Sequence, residues 1–188
     1  MLQHKLLLPW DGKLVINQIL KTWDDSLVNE IVVLVRHDDQ ELIEACQASS
    51  VVVHQLQQET ADMKATIQVG LRQVEERFKP GESDLCLIAP ADLPRLRTEV
   101  IDRVIQTSAA FNKIVVPYFG DKRGHPVCMP WNMTYSIFEL GVNEGLNSLI
   151  DRSQYKKALF PAEKRARDID TPADYQREIE AFNESNKS

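Results

Sequence analysis

The chain has 188 residues, 43% of them hydrophobic and 27% charged, with little glycine or proline, so one globular domain over residues 1–188 with a sizeable core is expected. A formal net charge of −6 argues against a general nucleic-acid binder, although a metal and a few local lysines could still neutralise the phosphates of a nucleotide. The three cysteines, Cys46, Cys86 and Cys128, are odd in number and far apart, which suits neither a disulfide framework nor a zinc site. No apolar run reaches the roughly 18 residues of a membrane span and no signal pattern opens the chain, so the expected location is the cytoplasm.

In chain order, Leu6, Leu7 and Leu8 form a short apolar run, followed by Pro9 and a turn at Asp11 and Gly12. Leu14, Val15, Ile19, Leu20 and Trp23 recur at helical spacing. Residues 31–35 are an unbroken apolar run, which predicts a buried strand. Asp38 and Asp39 start a helix carrying Leu42, Ile43 and Cys46, and residues 51–53 make a second strand. Residues 65–78 form an amphipathic helix through Ile67, Leu71, Val74 and Phe78, ended by Pro80 and Gly81.

Residues 85–89 are the next apolar strand; Pro90 stops its ladder because proline has no N–H to donate. Val100, Ile101, Val104 and Ile105 mark a helix, residues 114–116 a strand, and residues 120–124 a charged turn. Residues 126–129 read as a short strand in a hairpin or at an edge, and residues 137–140 and 146–150 as two short helices. Thr171, Pro172 and Asp174 then spell a helix start: an N-cap, a proline at the first helical position and an acid at the third. Strands alternating with helices predict an α/β fold, a three-layer sandwich around a mostly parallel sheet.

Four stretches place polar groups where such sheets bind ligands, beyond the carboxyl ends of the strands. Asp92 follows the strand at 85–89 and either holds a divalent metal or caps a turn. Residues 62–66 precede the long helix: Asp62 is a cap, or the helix start and Thr66 face an anion or a base. Arg123, Gly124 and His125 follow the fourth strand, where the glycine lets backbone approach a ligand and the histidine is either a ligand group or structural. Asp168 and Asp170 would share a face if they lay on a strand. Magnesium takes one or two carboxylates together with phosphate oxygens, which Asp92 and Asp170 would satisfy if their segments were adjacent.

Taken together, these segments resemble the MobA-like nucleotidyltransferases, and most closely the molybdenum cofactor cytidylyltransferase branch. The matching stretches are Lys5 to Pro9 with Gly12 and Lys13, residues 62–67, residues 91–94, residues 123–127, residues 143–147 and residues 168–174, in family order over nearly the whole chain. The resemblance implies a Rossmann-like nucleotidyltransferase fold and Mg2+ held by Asp92 and Asp170. It implies that Lys5 neutralises triphosphate and, with Asp92, is catalytic. Asp62, Met63, Lys64 and Thr66 would help to hold the nucleotide, and Arg123, Gly124, His125, Asn143 and Asn147 would lie toward a phosphorylated acceptor.

Relatives open with a central strand and a glycine-rich loop ending in Arg-Met-Gly shortly before the lysine matched by Lys5. Only four residues precede Lys5, so the first strand and phosphate loop are expected to be missing. Asn143 stands where relatives of this branch often carry aspartate.

The implied activity is transfer of CMP or GMP from CTP or GTP to a phosphorylated acceptor, with molybdopterin the favoured one, and release of pyrophosphate. Neither nucleic acid nor membrane is an expected partner. The alternatives are an inactive nucleotide- or partner-binding relative and a nucleotidyltransferase acting on a sugar phosphate or another small phosphate.

Overall fold

The computed structural model describes residues 4–185. A 3-10 turn, Lys5–Leu7, leads into a small hairpin of β1 (Pro9–Trp10) and β2 (Lys13–Leu14), whose turn residues Asp11 and Gly12 both have positive φ. Then follow α1 (Val15–Asp24), β3 (Val32–Arg36), α2 (Gln40–Gln47), β4 (Val52–Leu56), α3 (Met63–Phe78), β5 (Leu85–Ile88) and α4 (Thr98–Phe111). The second half runs β6 (Val115–Phe119), β7 (Lys122–Arg123), β8 (Val127–Pro130), α5 (Trp131–Thr134), α6 (Leu146–Arg152), β9 (Lys156–Phe160) and α7 (Pro172–Ser185).

The helix starts follow from their capping residues. Asp39 accepts from the Leu42 N–H at the start of α2, and Asp62 from the Ala65 N–H at the start of α3. At α7, Thr171 donates its N–H and hydroxyl to Asp174, whose own N–H returns to the Thr171 oxygen. Both α3 and α4 end on a left-handed residue, Lys79 and Asn112. Among the described residues, no helix is long and apolar enough to cross a membrane.

The strands form two main groups. β3 and β4 pair in parallel, with Val32 opposite Val52. β5, β8 and β6 lie side by side, and β9 runs parallel to β6. Because β8 is antiparallel to both neighbours, β5, β6 and β9 share one direction, which makes the fold mostly parallel as its sequence pattern predicts.

Alternate residues of each strand feed opposite layers. Cys86, Ile88, Val116, Tyr118, Val127 and Met129 pack with Ile67, Leu71 and Val74 of α3. Leu85, Leu87, Val115, Phe119 and Cys128 face the other way, toward α4. Val33 and Val35 of β3 meet α1 and α2, while Leu34 points at α3, where a Cβ on Gly70 would come within 3.0 Å of it. Helices therefore cover both faces, giving the expected three layers.

Four local expectations change. Residues 127–130 form neither an edge nor a simple hairpin arm; β8 sits between β5 and β6, and all four of its residues are buried. β9 was unforeseen because Lys156 and Lys157 hide a strand in which only Ala158 is buried. The helical turns expected at 137–140 lie earlier, at Trp131–Thr134 and Tyr135–Ile137. Residues 168–170 are not a strand, so period-two spacing does not orient Asp168 and Asp170. Among the described residues, no strand lies between β3 and β5, each of which is paired on one side only.

Candidate functional site

β5 delivers the chain to Pro90, and Asp92 stands just beyond it. Its Oδ2 accepts from Lys5 Nζ at 2.6 Å, and the same ammonium donates to Asp170 Oδ1 at 2.9 Å. The two carboxylates, far apart in sequence, thus meet on one cationic centre. Backbone holds them there: the Ile169 N–H donates to the Asp92 carbonyl at 3.3 Å, and Ile169 is itself fully buried. Lys5 is placed by the turn that His4 caps, and His4 Nε2 lies 3.2 Å from Asp39, just after β3.

Burial alone would lower the Lys5 pKa, but its hydrogen bonds to Asp92 and Asp170 and their charges more than offset this and raise it. The same Lys5 bond and charge hold Asp170 below the usual carboxylate range.

Asp92 Oδ1 is buried with no hydrogen-bond partner, a donor atom left uncommitted beside a second carboxylate. Two hard oxygen ligands of this kind fit a magnesium-type ion that completes its shell with water and phosphate. Among the described residues, no group of three or more His, Cys, Asp or Glu side chains forms a self-sufficient metal cage.

A cleft of about 1780 Å³ opens beside this trio, lined by Asp62, Met63, Lys64, Thr66, Arg123, Gly124, His125 and Asn147. Pro90 and Ala91 also line it, which puts Asp92 next to its wall. Asp62 is the α3 cap, so the capping reading of that residue is realised; its side chain nonetheless faces the cleft. Met63 is exposed, and Thr66 bonds the Asp62 carbonyl at 3.2 Å and the Thr60 hydroxyl at 2.5 Å. Lys64 Nζ reaches across to the Gly141 and Val142 carbonyls at 2.5 and 3.4 Å, tying the start of α3 to the loop that carries Asn143. Asn143 itself is exposed and does not line the cleft.

Arg123 is held by side chains: its Nε donates to the Tyr118 hydroxyl at 2.9 Å, and its Nη2 to Asp151 and to the Tyr155 hydroxyl. Gly124 has a packing reason as well as a ligand-facing one, because a Cβ there would lie 2.5 Å from the Phe119 ring. His125, which precedes Pro126 through a cis peptide bond, buries an unpartnered Nδ1. Burial pushes its pKa down; the Asp92 charge opposes that shift and the Arg165 charge adds to it.

Sequence reasoning missed Arg165, whose Nε is buried without a partner, and the stacked Tyr118–Tyr155 pair behind Arg123. Residues 162–167 mix charged residues with alanine and carry no apolar period, and strand β9, which brings Tyr155 to the sheet, gives no period-two signal.

The fold has many solved counterparts. Rv0371c from Mycobacterium tuberculosis H37Rv in complex with manganese matches with a TM-score of 0.77 at 19% identity, over 95% of this chain and 92% of the other. A nucleotidyl transferase from Methanothermobacter thermautotroptrophicus matches at 0.77 and 21% identity, over 97% of this chain and 87% of the other. 4-Diphosphocytidyl-2C-methyl-D-erythritol synthase from Anaerococcus prevotii matches at 0.74 and 15% identity, over 95% and 93%. At such identities the likeness speaks for the fold alone. No curated protein matched the chain. The MobA-like NTP transferase domain family matches residues 1–158, and the chain belongs to that family.

Proposed function

We propose that this chain is a magnesium-dependent nucleotidyltransferase that moves CMP or GMP from CTP or GTP to a phosphorylated small molecule and releases pyrophosphate. The single observation that carries the reading is the convergence of Asp92 and Asp170 on one cationic centre beside a large cleft, with Asp92 Oδ1 uncommitted. Family membership and the manganese-bound structure of Rv0371c support a metal-assisted reaction. The stretch at residues 123–127, which resembles the pterin branch, favours molybdopterin as the acceptor. The reaction belongs to a single cytoplasmic domain of residues 1–188.

In this reading an acceptor phosphate oxygen attacks the α-phosphorus, a new P–O bond forms, and the bond to the β-phosphate breaks with its electrons leaving on pyrophosphate. Asp92 and Asp170 would hold the metal, which would supply neutralisation of the phosphate charge. Lys5, positioned by those same carboxylates, turns its ammonium toward the triphosphate. Asp62, Met63, Lys64 and Thr66 hold the base or ribose, while Arg123, Gly124, His125 and Asn147, which line the cleft, position the acceptor. No covalent enzyme intermediate is needed, since positioning and charge neutralisation supply the catalysis.

The test is incubation with CTP or GTP and a panel of acceptors, molybdopterin and sugar phosphates among them, with pyrophosphate as the readout. Pyrophosphate release with molybdopterin supports the reading in full. Release only with a sugar phosphate replaces the acceptor. Nucleotide binding with no release under any acceptor overturns the enzyme reading in favour of a binding protein.

A further inference from the structure

Helix α7 turns one stripe of side chains to the core. Tyr175, Ile179 and Phe182 recur at helical spacing and pack on the cluster that holds Trp10 and Ile169. Glu178 lies within that stripe, one turn after Tyr175, and is buried where the spacing calls for an apolar side chain. Its partner is Arg95 at 3.5 Å, with the more exposed Arg177 at 3.9 Å. A buried ion pair adds little stability, because desolvating two charges offsets their attraction, and apolar residues of similar volume do as well. What such a pair does fix is position. Glu178 has to face Arg95, whereas an apolar side chain would accept many neighbours.

That position bears on the candidate site. Tyr175 donates its hydroxyl to the carbonyl of Pro9, four residues after Lys5, and the Trp10 ring lies 6.3 Å from that of Tyr175 and 5.4 Å from that of Phe182. Arg95 stands three residues after Asp92 in a stiff turn. Pro94 has a fixed φ, Leu93 and Leu96 are buried, and the Leu96 N–H donates to the Leu93 carbonyl at 3.0 Å. Asp170 lies two residues before Pro172, the first residue of α7. Between the two aspartates runs the bond from the Ile169 N–H to the Asp92 carbonyl, and at 3.3 Å it is too long to set their spacing firmly. Helix α7 therefore grips the chain beside each of Lys5, Asp92 and Asp170.

We propose that Arg95 and Glu178 are positioning residues for the metal site: their buried pair locks α7 against the turn after Asp92 and so sets the spacing of the Asp92 and Asp170 carboxylates. The inference rests on the metal role proposed above for those two carboxylates. Neither Arg95 nor Glu178 would touch the ion. Each acts through stiff backbone, the turn at Pro94 on one side and the first turns of α7 on the other. Magnesium holds its ligands at about 2.0–2.1 Å in near-ideal octahedral geometry. Sites of this kind tolerate errors of only about 0.5 Å, so a small slide of α7 weakens the metal while the fold survives.

The test titrates manganese(II) alone into the nucleotide-free protein at about 15 °C, where proteins are usually most stable, and reads the EPR signal of free manganese. The double variant Arg95→Met with Glu178→Leu should keep its melting temperature within a few degrees yet bind manganese at least about fivefold more weakly. Amide exchange at Ile169 should quicken in it by a similar factor. Ile179→Val loosens the packing of α7 without touching the pair, so it should lower the melting temperature and leave manganese affinity unchanged. Arg95→Lys keeps a cation for Glu178 but loses the guanidinium fork, and should weaken manganese binding about twofold or more. It carries the comparison if the double variant does not fold. Wild-type affinity in the double variant, or in Arg95→Lys where the double variant does not fold, overturns the proposal. An equal loss of affinity in Ile179→Val overturns it too, because the pair would then act through stability alone. A wild type that binds no manganese, or binding that Asp92→Asn leaves undiminished, removes the metal reading itself and this inference with it.

Discussion

The ammonium of Lys5 and the carboxylate of Asp92, 87 residues apart in the chain, meet at 2.6 Å with the Asp92 side chain only 17% exposed. Burial disfavours the Lys5 charge, yet Asp92 and Asp170 together raise its pKa above the ordinary 10.5. A folded-state value above the unfolded one means the stabilisation is complete below about pH 10.5 and is lost as pH rises through the folded value. Lys5→Met is therefore expected to cost about 1 kcal/mol at neutral pH, the upper range for a partly exposed pair. Urea denaturation at pH 7 and at a series of pH values above 10.5 checks the cost and its decline in alkali.

The same carboxylates should read out the metal. Asp92→Asn keeps the shape of the side chain and removes its charge, so magnesium-dependent CTP binding should weaken by at least about tenfold. Asp170→Asn should act in the same direction. Calorimetry with and without magnesium measures it, and an undiminished magnesium effect in Asp92→Asn would remove Asp92 from the metal site.

Much of this site was legible because its parts are local. The apolar run ending at Pro90 announces β5 and the carboxylate beyond it, and Thr171, Pro172 and Asp174 announce α7 through capping chemistry alone. What the sequence could not express is adjacency. Asp92 and Asp170 are joined by Lys5 and by the Ile169 backbone, and no periodicity encodes a contact between loops. β8 was misplaced for a related reason: four apolar residues look the same at an edge and at the centre of a sheet, and only the pairing of both its sides decides. Gly124 was read as room for a ligand, whereas the ring of Phe119 also demands it.

That ring makes Gly124→Ala a sharp test of packing. The new methyl would meet Phe119 Cε2 at 2.5 Å, and Phe119 is itself 3% exposed and stacked on Phe160 at 5.3 Å. Overpacking of this kind costs about 1–3 kcal/mol. Gly81→Ala is the control, since its Cβ would find only an ordinary contact at 3.7 Å with Asp84. Chemical denaturation should separate the two variants clearly.

Glu178 on α7 is 1% exposed and pairs with Arg95 at 3.5 Å. Arg95→Met leaves the buried Glu178 charge with only the more exposed Arg177 guanidinium at 3.9 Å, so it should destabilise by about 3 kcal/mol. Replacing both together, Arg95→Met with Glu178→Leu, should recover most of that loss. A double-mutant cycle by urea denaturation gives the coupling; additive single effects would show that Arg95 does not carry the Glu178 charge.

His125 sets a different pH window. Burial lowers its pKa from the ordinary 6.5; the Asp92 and Asp168 charges push the other way and the Arg165 charge pushes down. With the folded-state pKa depressed, the unfolded chain takes up the proton first as pH falls below about 6.5. Stability is then complete above that pH and declines as pH drops toward the folded value. The carboxylates act lower: Asp174, held down to about 2 by its hydrogen bonds to Thr171 and Arg177, loses its contribution only between the ordinary 3.8 and that value. The two windows do not overlap near pH 6, so the urea midpoint of the wild type should fall between pH 7 and pH 5.5, while that of His125→Gln should stay flat. Parallel slopes in the two proteins would mean that His125 meets water freely and keeps its ordinary titration in the folded chain.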